Sequence, residues 1–240
     1  MTKIFKLHEF DLLDIVFSEP LNNIIYISHN DEPILFETCE LYCVDVIKKY
    51  DTKYSSHELL LSLTGKNDIN TNICKSFFES LDNKLIDTCK ANMNIWPFDS
   101  KNIAYKSLIR FIDDNDKYYK NGVIKLKFIK SKNFSTLVFD ENKNIVNPID
   151  YNEKFSGNLY VKIIIELVSV WIRDGVFGLY IKLHQLKISN NPKPQLYLFD
   201  SNSSESESES ESDISMYDTE INKLDSIMLN DDDLEYILSD

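Results

Sequence analysis

Lysine and aromatic side chains in the second half of the chain are the residues best placed to bind a ligand. Residues 123–130 read VIKLKFIK, in which Lys125 and Lys127 alternate with apolar residues and so share one face of a predicted strand. The full candidate set is Lys125, Lys127, Lys130, Lys132, Trp171, Arg173, Phe177, Tyr180, Lys182 and Lys187. Cations beside flat rings are the mixture that binds single-stranded nucleic acid, because cations neutralise phosphates and bases stack on rings.

The same residues have an ordinary alternative. Lysines commonly line the solvent face of a strand, and Trp171 or Phe177 would then simply be part of the core. The sequence does not decide which of Trp96, Trp171, Phe177 and Tyr180 face a groove. The basic positions are therefore safer predictions than the aromatic ones.

Residues for catalysis do not form a recognisable motif. With five glycines in the chain, neither G-x-G-x-x-G nor G-x-x-x-x-G-K-[ST] occurs. The four histidines are scattered, and the four cysteines lack zinc-site spacing, which favours reduced cysteines acting as small apolar residues. We therefore predict a protein that is not an enzyme and needs no cofactor and no metal. A metal-dependent nuclease or nucleotide enzyme of an unfamiliar family stays an alternative.

The charge of the chain is divided unevenly. Its net charge is −13, and residues 200–240 alone carry 14 acids and one base. Residues 1–199 are thus neutral as a whole, and residues 101–199 within them have a net charge of +7. The overall acidity does not argue against nucleic-acid binding, because it comes from the C-terminal segment. Two parts follow: a globular domain at 1–199 and a disordered acidic tail at 200–240.

Short strands and one helix are the elements that must position the candidate residues. Apolar or alternating runs bounded by turn residues predict strands at 22–29, 33–36, 40–50, 58–63, 103–112, 123–130 and 134–139. Residues 159–172 and 177–188 predict a hairpin joined by Arg173-Asp174-Gly175. Apolar residues at helical spacing predict one helix over 73–93, with Asn70, Thr71 or Asn72 as its cap. The fold class is mainly β with one prominent helix, in a closed or partly closed barrel.

Membrane segments are not predicted. The most apolar run, residues 159–172, is interrupted by Lys162, Glu166 and Ser169. The first residues lack the apolar core of a signal peptide. We expect a protein that stays in the cytoplasm and has no membrane partner.

The acidic tail ends in a hydrophobic tip that follows three aspartates. The residues expected to regulate binding or to contact partners are Asp231, Asp232, Asp233, Leu234 and Tyr236. A flexible segment with this charge, tethered to a domain with a basic half, competes with phosphates for that half. Two alternatives remain: a tail that only keeps the protein soluble, or an interaction or transcription-associated protein that acts through its acidic-hydrophobic tail.

Three stretches together resemble a known family. They are Phe78-Glu79-Ser80-Leu81-Asp82 with Asn94-Ile95-Trp96; Lys117-Tyr118-Tyr119 to Lys125-Leu126-Lys127; and Val170-Trp171 leading into Phe177-Gly178-Leu179 and Leu183-His184-Gln185-Leu186-Lys187-Ile188. In order and spacing the chain resembles the single-stranded DNA-binding proteins of nucleocytoplasmic large DNA viruses (mimivirus-like). That group is related to the replication single-strand binding protein of short-tailed coliphages. The resemblance spans about residues 55–190 and does not extend to the residues before them.

The resemblance implies a fold, a ligand and partners. It implies an OB-fold-like barrel that binds single-stranded DNA during viral replication and recombination, without catalysis, in the host cell cytoplasm or viral factory. It also implies that the acidic tail mimics DNA or recruits replication proteins. The present chain departs from the family in continuing beyond Tyr236 with Ile237-Leu238-Ser239-Asp240 and in its longer Ser-Glu tract. The sequence is compatible with a homo-oligomer but does not specify one.

Overall fold

The structure, a computed structural model, is mainly β with one long helix and describes residues 3–50, 55–98, 103–112, 117–156 and 159–189. The strands are β1 (Ile4–Lys6), β2 (Val16–Phe17), β3 (Ile24–Ser28), β4 (Ile34–Glu37), β5 (Leu41–Tyr50), β6 (Ser55–Gly65), β7 (Ala104–Lys106), β8 (Val123–Phe128), β9 (Leu137–Phe139), β10 (Leu159–Arg173) and β11 (Val176–Ser189). The helices are α1 (Asp68–Ala91), α2 (Tyr151–Lys154) and two 3-10 turns, Leu12–Asp14 and Pro148–Asp150. The predicted fold class is confirmed. The predicted tail at 200–240 lies outside the described residues.

The β10–β11 hairpin is the longest feature of the sheet and matches the predicted hairpin. Asp174 and Gly175 form its turn with φ of 50° and 75°, the left-handed pair that a two-residue hairpin turn requires. The pairing starts with Arg173 opposite Val176 and continues to Tyr160 opposite Ser189. Two register shifts, between residues 164 and 165 and between residues 167 and 169, interrupt it. Such bulges bend a strand and increase its twist.

A barrel forms around β10. One edge of β10 pairs with β11, and the other edge pairs in turn with β5, β4 and β3. β5 then pairs with β6, and β6 with β8. Thr136, after β8, closes the ring, because its hydroxyl accepts a bond from the Ile129 amide (3.0 Å) and donates one to the Leu183 carbonyl of β11 (2.8 Å). The result is the predicted OB-fold-like barrel.

Helix α1 covers part of the barrel and is longer at its start than the sequence predicts. Asn67 caps it by accepting a hydrogen bond from the amide of Asn70 (3.0 Å), so the helix begins before the caps predicted at residues 70–72. Its apolar stripe is buried as predicted, and the ring of Phe77 contacts that of Phe36 in β4 at 4.8 Å between centroids. Met93, the last residue of the predicted helix, is 43% exposed, because the helix ends at Ala91.

Asp82 of α1 is a charged residue that is buried in the structure. It is only 8% exposed, and its carboxylate accepts hydrogen bonds from the hydroxyls of Tyr105 (2.5 Å) and Ser107 and from the amide of Leu108 (3.2 Å). These bonds draw the chain after β7 towards the helix. The strand predicted at 103–112 is therefore only three residues long.

Replacing Asp82 with alanine is expected to lower the free energy of unfolding by about 3 kcal/mol, because three hydrogen-bond donors lose a buried, charged acceptor. Burial, together with the hydrogen bond to Asp82, raises the pKa of Tyr105, so its hydroxyl keeps its proton over the accessible pH range. Urea denaturation followed by circular dichroism measures the change. Asp87→Ala is the control, since that side chain is 76% exposed on the same helix. Equal midpoints for the two variants would contradict the anchoring role.

The cysteines are free thiols, three of them buried and Cys39 partly exposed. Burial raises the pKa of Cys43 to about 12, in keeping with a small apolar residue rather than a reactive thiol. Within the described ranges no three His, Cys, Asp or Glu side chains are grouped as ligands for one metal ion. No helix in the same part of the chain has the length and apolar character needed to span a membrane.

Candidate nucleic-acid interface

One face of the β10–β11 hairpin carries most of the cations and rings that the structure brings together. Along β10, residues 161, 163, 165 and 167 are buried, so residues 160, 162, 164 and 166 point away from the core. Cross-strand pairing places the outward residues of β11 beside them. We call the following set the hairpin outer face: Tyr160, Lys162, Glu166, Trp171, Gly178, Tyr180, Lys182, His184 and Lys187.

A cation and a ring meet at the centre of this face. The Nζ atom of Lys182 lies 3.8 Å from the centroid of the Phe134 ring, and His184 meets the same ring edge-on at 4.9 Å. The Glu166 carboxylate lies 2.5 Å from His184 Nε2 and 3.7 Å from Lys182 Nζ. It therefore holds both side chains against Phe134. Since Phe134 belongs to the loop between β8 and β9, no signal in the sequence linked it to Lys182.

A second cation and ring lie near the turn of the hairpin. Trp171 stands directly opposite Gly178, and Lys106 Nζ lies 5.8 Å from the centroid of the indole ring. A Cβ atom at position 178 would lie 2.6 Å from Cζ2 and 2.9 Å from Cε2 of Trp171. Only glycine lets the indole ring lie this close to the strand. The predicted residue Trp171 is thus on the hairpin outer face and not in the core.

A third cation and ring lie at the open end of the hairpin. Lys66 Nζ is 5.1 Å from the centroid of the Tyr160 ring, which also meets Tyr42 of β5 edge-on at 5.6 Å. Tyr42 stacks on Tyr118, with centroids 3.7 Å apart and planes 7° from parallel, and Lys117 Nζ is 4.8 Å from the Tyr118 ring. We refer to Tyr42, Tyr118 and Tyr160 as the tyrosine cluster. None of these three tyrosines is among the binding residues predicted from the sequence.

Lysines concentrate between the central pair and the tyrosine cluster. Lys162 stands opposite Lys187 on the hairpin. Lys162 and Lys6 both form ion pairs with the single carboxylate of Glu37, so one negative charge is shared by two positive ones. Lys187 is exposed, and no ion pair joins it to another described residue. This group keeps a positive charge that a phosphate can neutralise.

Two of the predicted residues do not lie on an open surface. Lys125 is only 11% exposed and forms an ion pair at 2.6 Å with Glu58, which is 2% exposed. Phe177 is 3% exposed and packs in the core against Tyr105, with ring centroids 4.9 Å apart. Neither has a face that a base or a phosphate can reach. The loop at residues 117–122 accounts for the burial of Lys125, because it covers the outer side of β6. There the Ser62 hydroxyl donates a hydrogen bond to the Tyr118 carbonyl (2.5 Å).

The remaining predicted residues lie around the hairpin outer face or beyond it. Lys130 and Lys132 are exposed on the loop that carries Phe134, and so lie near the central pair. Lys127 of β8 stands opposite Glu58 of β6. Arg173 lies at the hairpin turn, where its Nε atom is 3.3 Å from the Asp174 carboxylate. The predicted tail residues at 231–236 lie outside the described residues. The structure thus brings together Trp171, Tyr180, Lys182 and Lys187 from the predicted set.

Comparisons with known proteins give structural likeness only: no family model and no curated protein matches the chain. It is similar to solved phage single-stranded DNA-binding proteins at low identity. The bacteriophage Enc34 protein, as a C-terminal truncation, is 13% identical with a TM-score of 0.44, over 76% of this chain and 98% of its own. The same phage protein in complex with single-stranded DNA is 12% identical with a TM-score of 0.43, over 75% of this chain and 98% of its own. The protein gp2.5, encoded by bacteriophage T7, is 13% identical with a TM-score of 0.40, over 70% of this chain and 98% of its own.

The similar structures come from phages. An origin in a nucleocytoplasmic large DNA virus stays a prediction, and so does a place in the host cytoplasm or viral factory. Enzymatic inactivity likewise stays a prediction for this chain.

Proposed function

We propose that this protein binds single-stranded DNA through the hairpin outer face and catalyses no reaction on it. The observation that supports this most directly is the row of three cation–aromatic pairs: Lys66 with Tyr160, Lys182 with Phe134, and Lys106 with Trp171. Each ring offers a surface on which a base stacks, and each neighbouring ammonium group can meet a phosphate. The shared charge of Lys6 and Lys162 around Glu37 adds phosphate contacts between the pairs.

Single strands fit this surface better than duplexes do. Stacking on a protein ring requires a base whose face is free, and in a duplex both faces are covered by neighbouring base pairs. The distinguishing groups of this face are rings and ammonium groups, which contact base faces and phosphates. They do not read the donor and acceptor pattern of base edges. Binding is therefore expected to depend weakly on sequence and strongly on salt.

The acidic tail acts, in this proposal, as a competitor of DNA. Residues 200–240 carry 14 acids and one base, while residues 101–199 have a net charge of +7. A tethered polyanion stays at high local concentration beside the basic half and lowers the apparent affinity for phosphates. When DNA displaces it, the tip at Asp231–Asp233, Leu234 and Tyr236 becomes available to replication proteins. This exchange would serve viral replication and recombination.

Fluorescence anisotropy with labelled oligo-dT, oligo-A RNA and duplex DNA tests the proposal. The full chain and a chain ending at Asp200 are compared at low and moderate salt. Oligo-dT should bind more tightly than duplex, with a slope of log K against log salt of about −3 for four phosphate contacts on a single strand. Removal of the tail should tighten binding, because it removes the competing charge.

The outcomes separate the candidate functions. No binding of oligo-dT by either chain at low salt would eliminate the proposal and would leave the tail-centred interaction or transcription-associated protein as the better hypothesis. If removal of the tail left the affinity unchanged, the proposed competition by the tail would be wrong. The proposed DNA-binding surface would stand. Turnover of DNA or of a nucleoside triphosphate with magnesium would show that the protein is an enzyme.

A further inference from the structure

Two cysteine thiols meet where the connection between β4 and β5 packs on α1. Cys39 lies in this connection and is partly exposed, whereas Cys74 of α1 is fully buried. A hydrogen bond joins the two thiol groups, with that of Cys74 as the donor. Two thiols in contact within one chain can be oxidised to a disulfide.

The backbone around the pair shows the same proximity. A Cβ atom at Gly65 would overlap the carbonyl oxygen of Glu40 and would lie 2.5 Å from Oγ1 of Thr71. The absence of a side chain at Gly65 thus lets the residue after Cys39 approach the first turns of α1. Thr71 and Cys74 are three residues apart and both buried, so they lie on the same face of the helix. Cys39 therefore lies beside this face of α1.

Hydrogen bonds to β10 hold the connection that carries Cys39. The Thr38 amide donates to the Ile163 carbonyl (3.0 Å), and the Ile163 amide donates to the Thr38 hydroxyl (3.2 Å). Thr38 is only 2% exposed, so these bonds are shielded from water. On the other side of the pair, α1 is fixed by its apolar stripe, which is part of the core. Both thiols are thus attached to the barrel, which keeps them together in the folded protein.

The surroundings give the two thiols different roles. The hydrogen bond from Cys74, helped by Thr71 and by the positive charge of Lys162, holds the pKa of Cys39 below its usual value, although burial acts against this. The pKa of Cys74 is well above its usual value, because this thiol donates its proton to Cys39 and is buried. Since the thiolate is the nucleophile in thiol chemistry, Cys39 is the thiol that reacts first.

We propose that Cys39 and Cys74 are a redox-active pair, which a hydroperoxide converts to a disulfide between the β4–β5 connection and α1. The Cys39 thiolate attacks one oxygen of the peroxide and the O–O bond breaks. The products are a sulfenic acid on Cys39 and a hydroxide or alkoxide ion, which takes a proton from water. The Cys74 thiol then attacks the sulfenic sulfur, so that the S–S bond forms, the S–O bond breaks, and the hydroxyl group leaves as water with the proton of Cys74. Two electrons pass from the two sulfur atoms to the peroxide.

Oxidation of the full-length protein with one equivalent of hydrogen peroxide provides the test. The remaining thiols are alkylated with N-ethylmaleimide in urea, and intact mass spectrometry counts them. Two of the four cysteines should be alkylated, and the protein should have lost two hydrogen atoms. Non-reducing peptide mapping should find Cys39 linked to Cys74, and treatment with dithiothreitol before alkylation should restore four reactive thiols.

Variants locate the bond. Cys39→Ser should leave every remaining cysteine open to alkylation after peroxide treatment. Cys89→Ala is the matched control, because Cys89 lies on the same helix about 22 Å from Cys74 at 1.5 Å per residue, and this variant should form the disulfide to the same extent as the unaltered protein. Cys43→Ala should also retain it, which separates Cys39 from its neighbour on β5.

Several results would overturn the proposal. They are four alkylated thiols after peroxide treatment, a disulfide between Cys39 and Cys43, and a sulfinic acid on Cys39 with Cys74 still alkylated. A disulfide that forms no faster in the folded protein than in urea would overturn it as well, because the fold would then not bring the thiols together. The main measurement uses the unaltered chain, so it does not depend on the folding of a variant. It contains no DNA and is therefore independent of the proposed function.

Discussion

Alanine at both Phe134 and Trp171 is expected to weaken binding of oligo-dT by about 30-fold or more. Each base stacked on an aromatic ring contributes about 1–3 kcal/mol, so two lost stacks remove at least about 2 kcal/mol. The single variants should each lose about half of that free energy. Fluorescence anisotropy at fixed salt measures the change, and urea denaturation verifies that the double variant is folded.

The control for this prediction is an exposed ring elsewhere on the domain. Phe111→Ala removes a ring that is 70% exposed and belongs to none of the three cation–aromatic pairs, so its affinity should stay close to that of the unaltered protein. Unchanged binding by the double variant would show that DNA, if it binds, follows another surface. An equal loss in Phe111→Ala would show that any exposed ring serves.

Gly178→Ala examines the same stacking surface without removing a ring. The added Cβ would lie 2.6 Å from Cζ2 of Trp171, so the indole ring has to move away from the strand. The variant should lose about as much affinity as Trp171→Ala. A glycine that mattered only for the backbone would change the unfolding midpoint and leave the affinity of the folded protein unaltered.

Replacing Lys125 with methionine is expected to lower the free energy of unfolding by about 3–5 kcal/mol. Lys125 lies 2.6 Å from Glu58, and its removal leaves a carboxylate that is 2% exposed without this cation. Any loss of DNA binding by this variant follows from unfolding and not from a lost phosphate contact. Thermal and urea denaturation, measured together with oligo-dT binding below the unfolding midpoint, separate the two effects.

Two further variants complete this comparison. Lys130→Met changes an exposed lysine just beyond the end of the same strand and should cost much less stability, since its charge is not buried. The double variant with Glu58→Leu and Lys125→Met removes both charges together and should recover most of the lost stability, since an apolar pair often replaces a buried ion pair without loss. If Lys125→Met were as stable as Lys130→Met, the ion pair would have no structural role.

Local patterns in the sequence predicted most elements of the fold, although β1 and β2 were not predicted and the strands expected at 103–112 and 134–139 are shorter in the structure. The hairpin could be predicted because Asp174-Gly175 permits left-handed φ between two long apolar runs, and its bounds agree within one residue. The helix could be predicted from its apolar spacing, although Asn67 begins it earlier than expected. These features depend on neighbours in the chain, which a single sequence displays.

Contacts between distant residues could not be predicted in the same way. Alternation placed Lys125 on an outward face of β8 but could not show that the loop at 117–122 covers the neighbouring strand. Trp171 and Phe177 lie on adjacent strands, and the sequence alone did not show which of the two rings is exposed. The one-residue offset of their pairing puts the first on the surface and the second in the core. Phe134 meets Lys182 only because the barrel closes there.

The two register shifts in the hairpin have a mechanical consequence. From Tyr160 to Trp171 the strand runs about 35 Å at about 3.3 Å per residue, and its bulges add twist within that length. A ligand that touches all three cation–aromatic pairs must bend with it. Double-stranded DNA has a persistence length of about 500 Å, and bending 20–30 bp by 40–90° costs on the order of 1–6 kcal/mol, more over a shorter length. We therefore expect the proposed surface to discriminate by stiffness, because a flexible single strand can follow its twist at a lower cost in free energy than a duplex can.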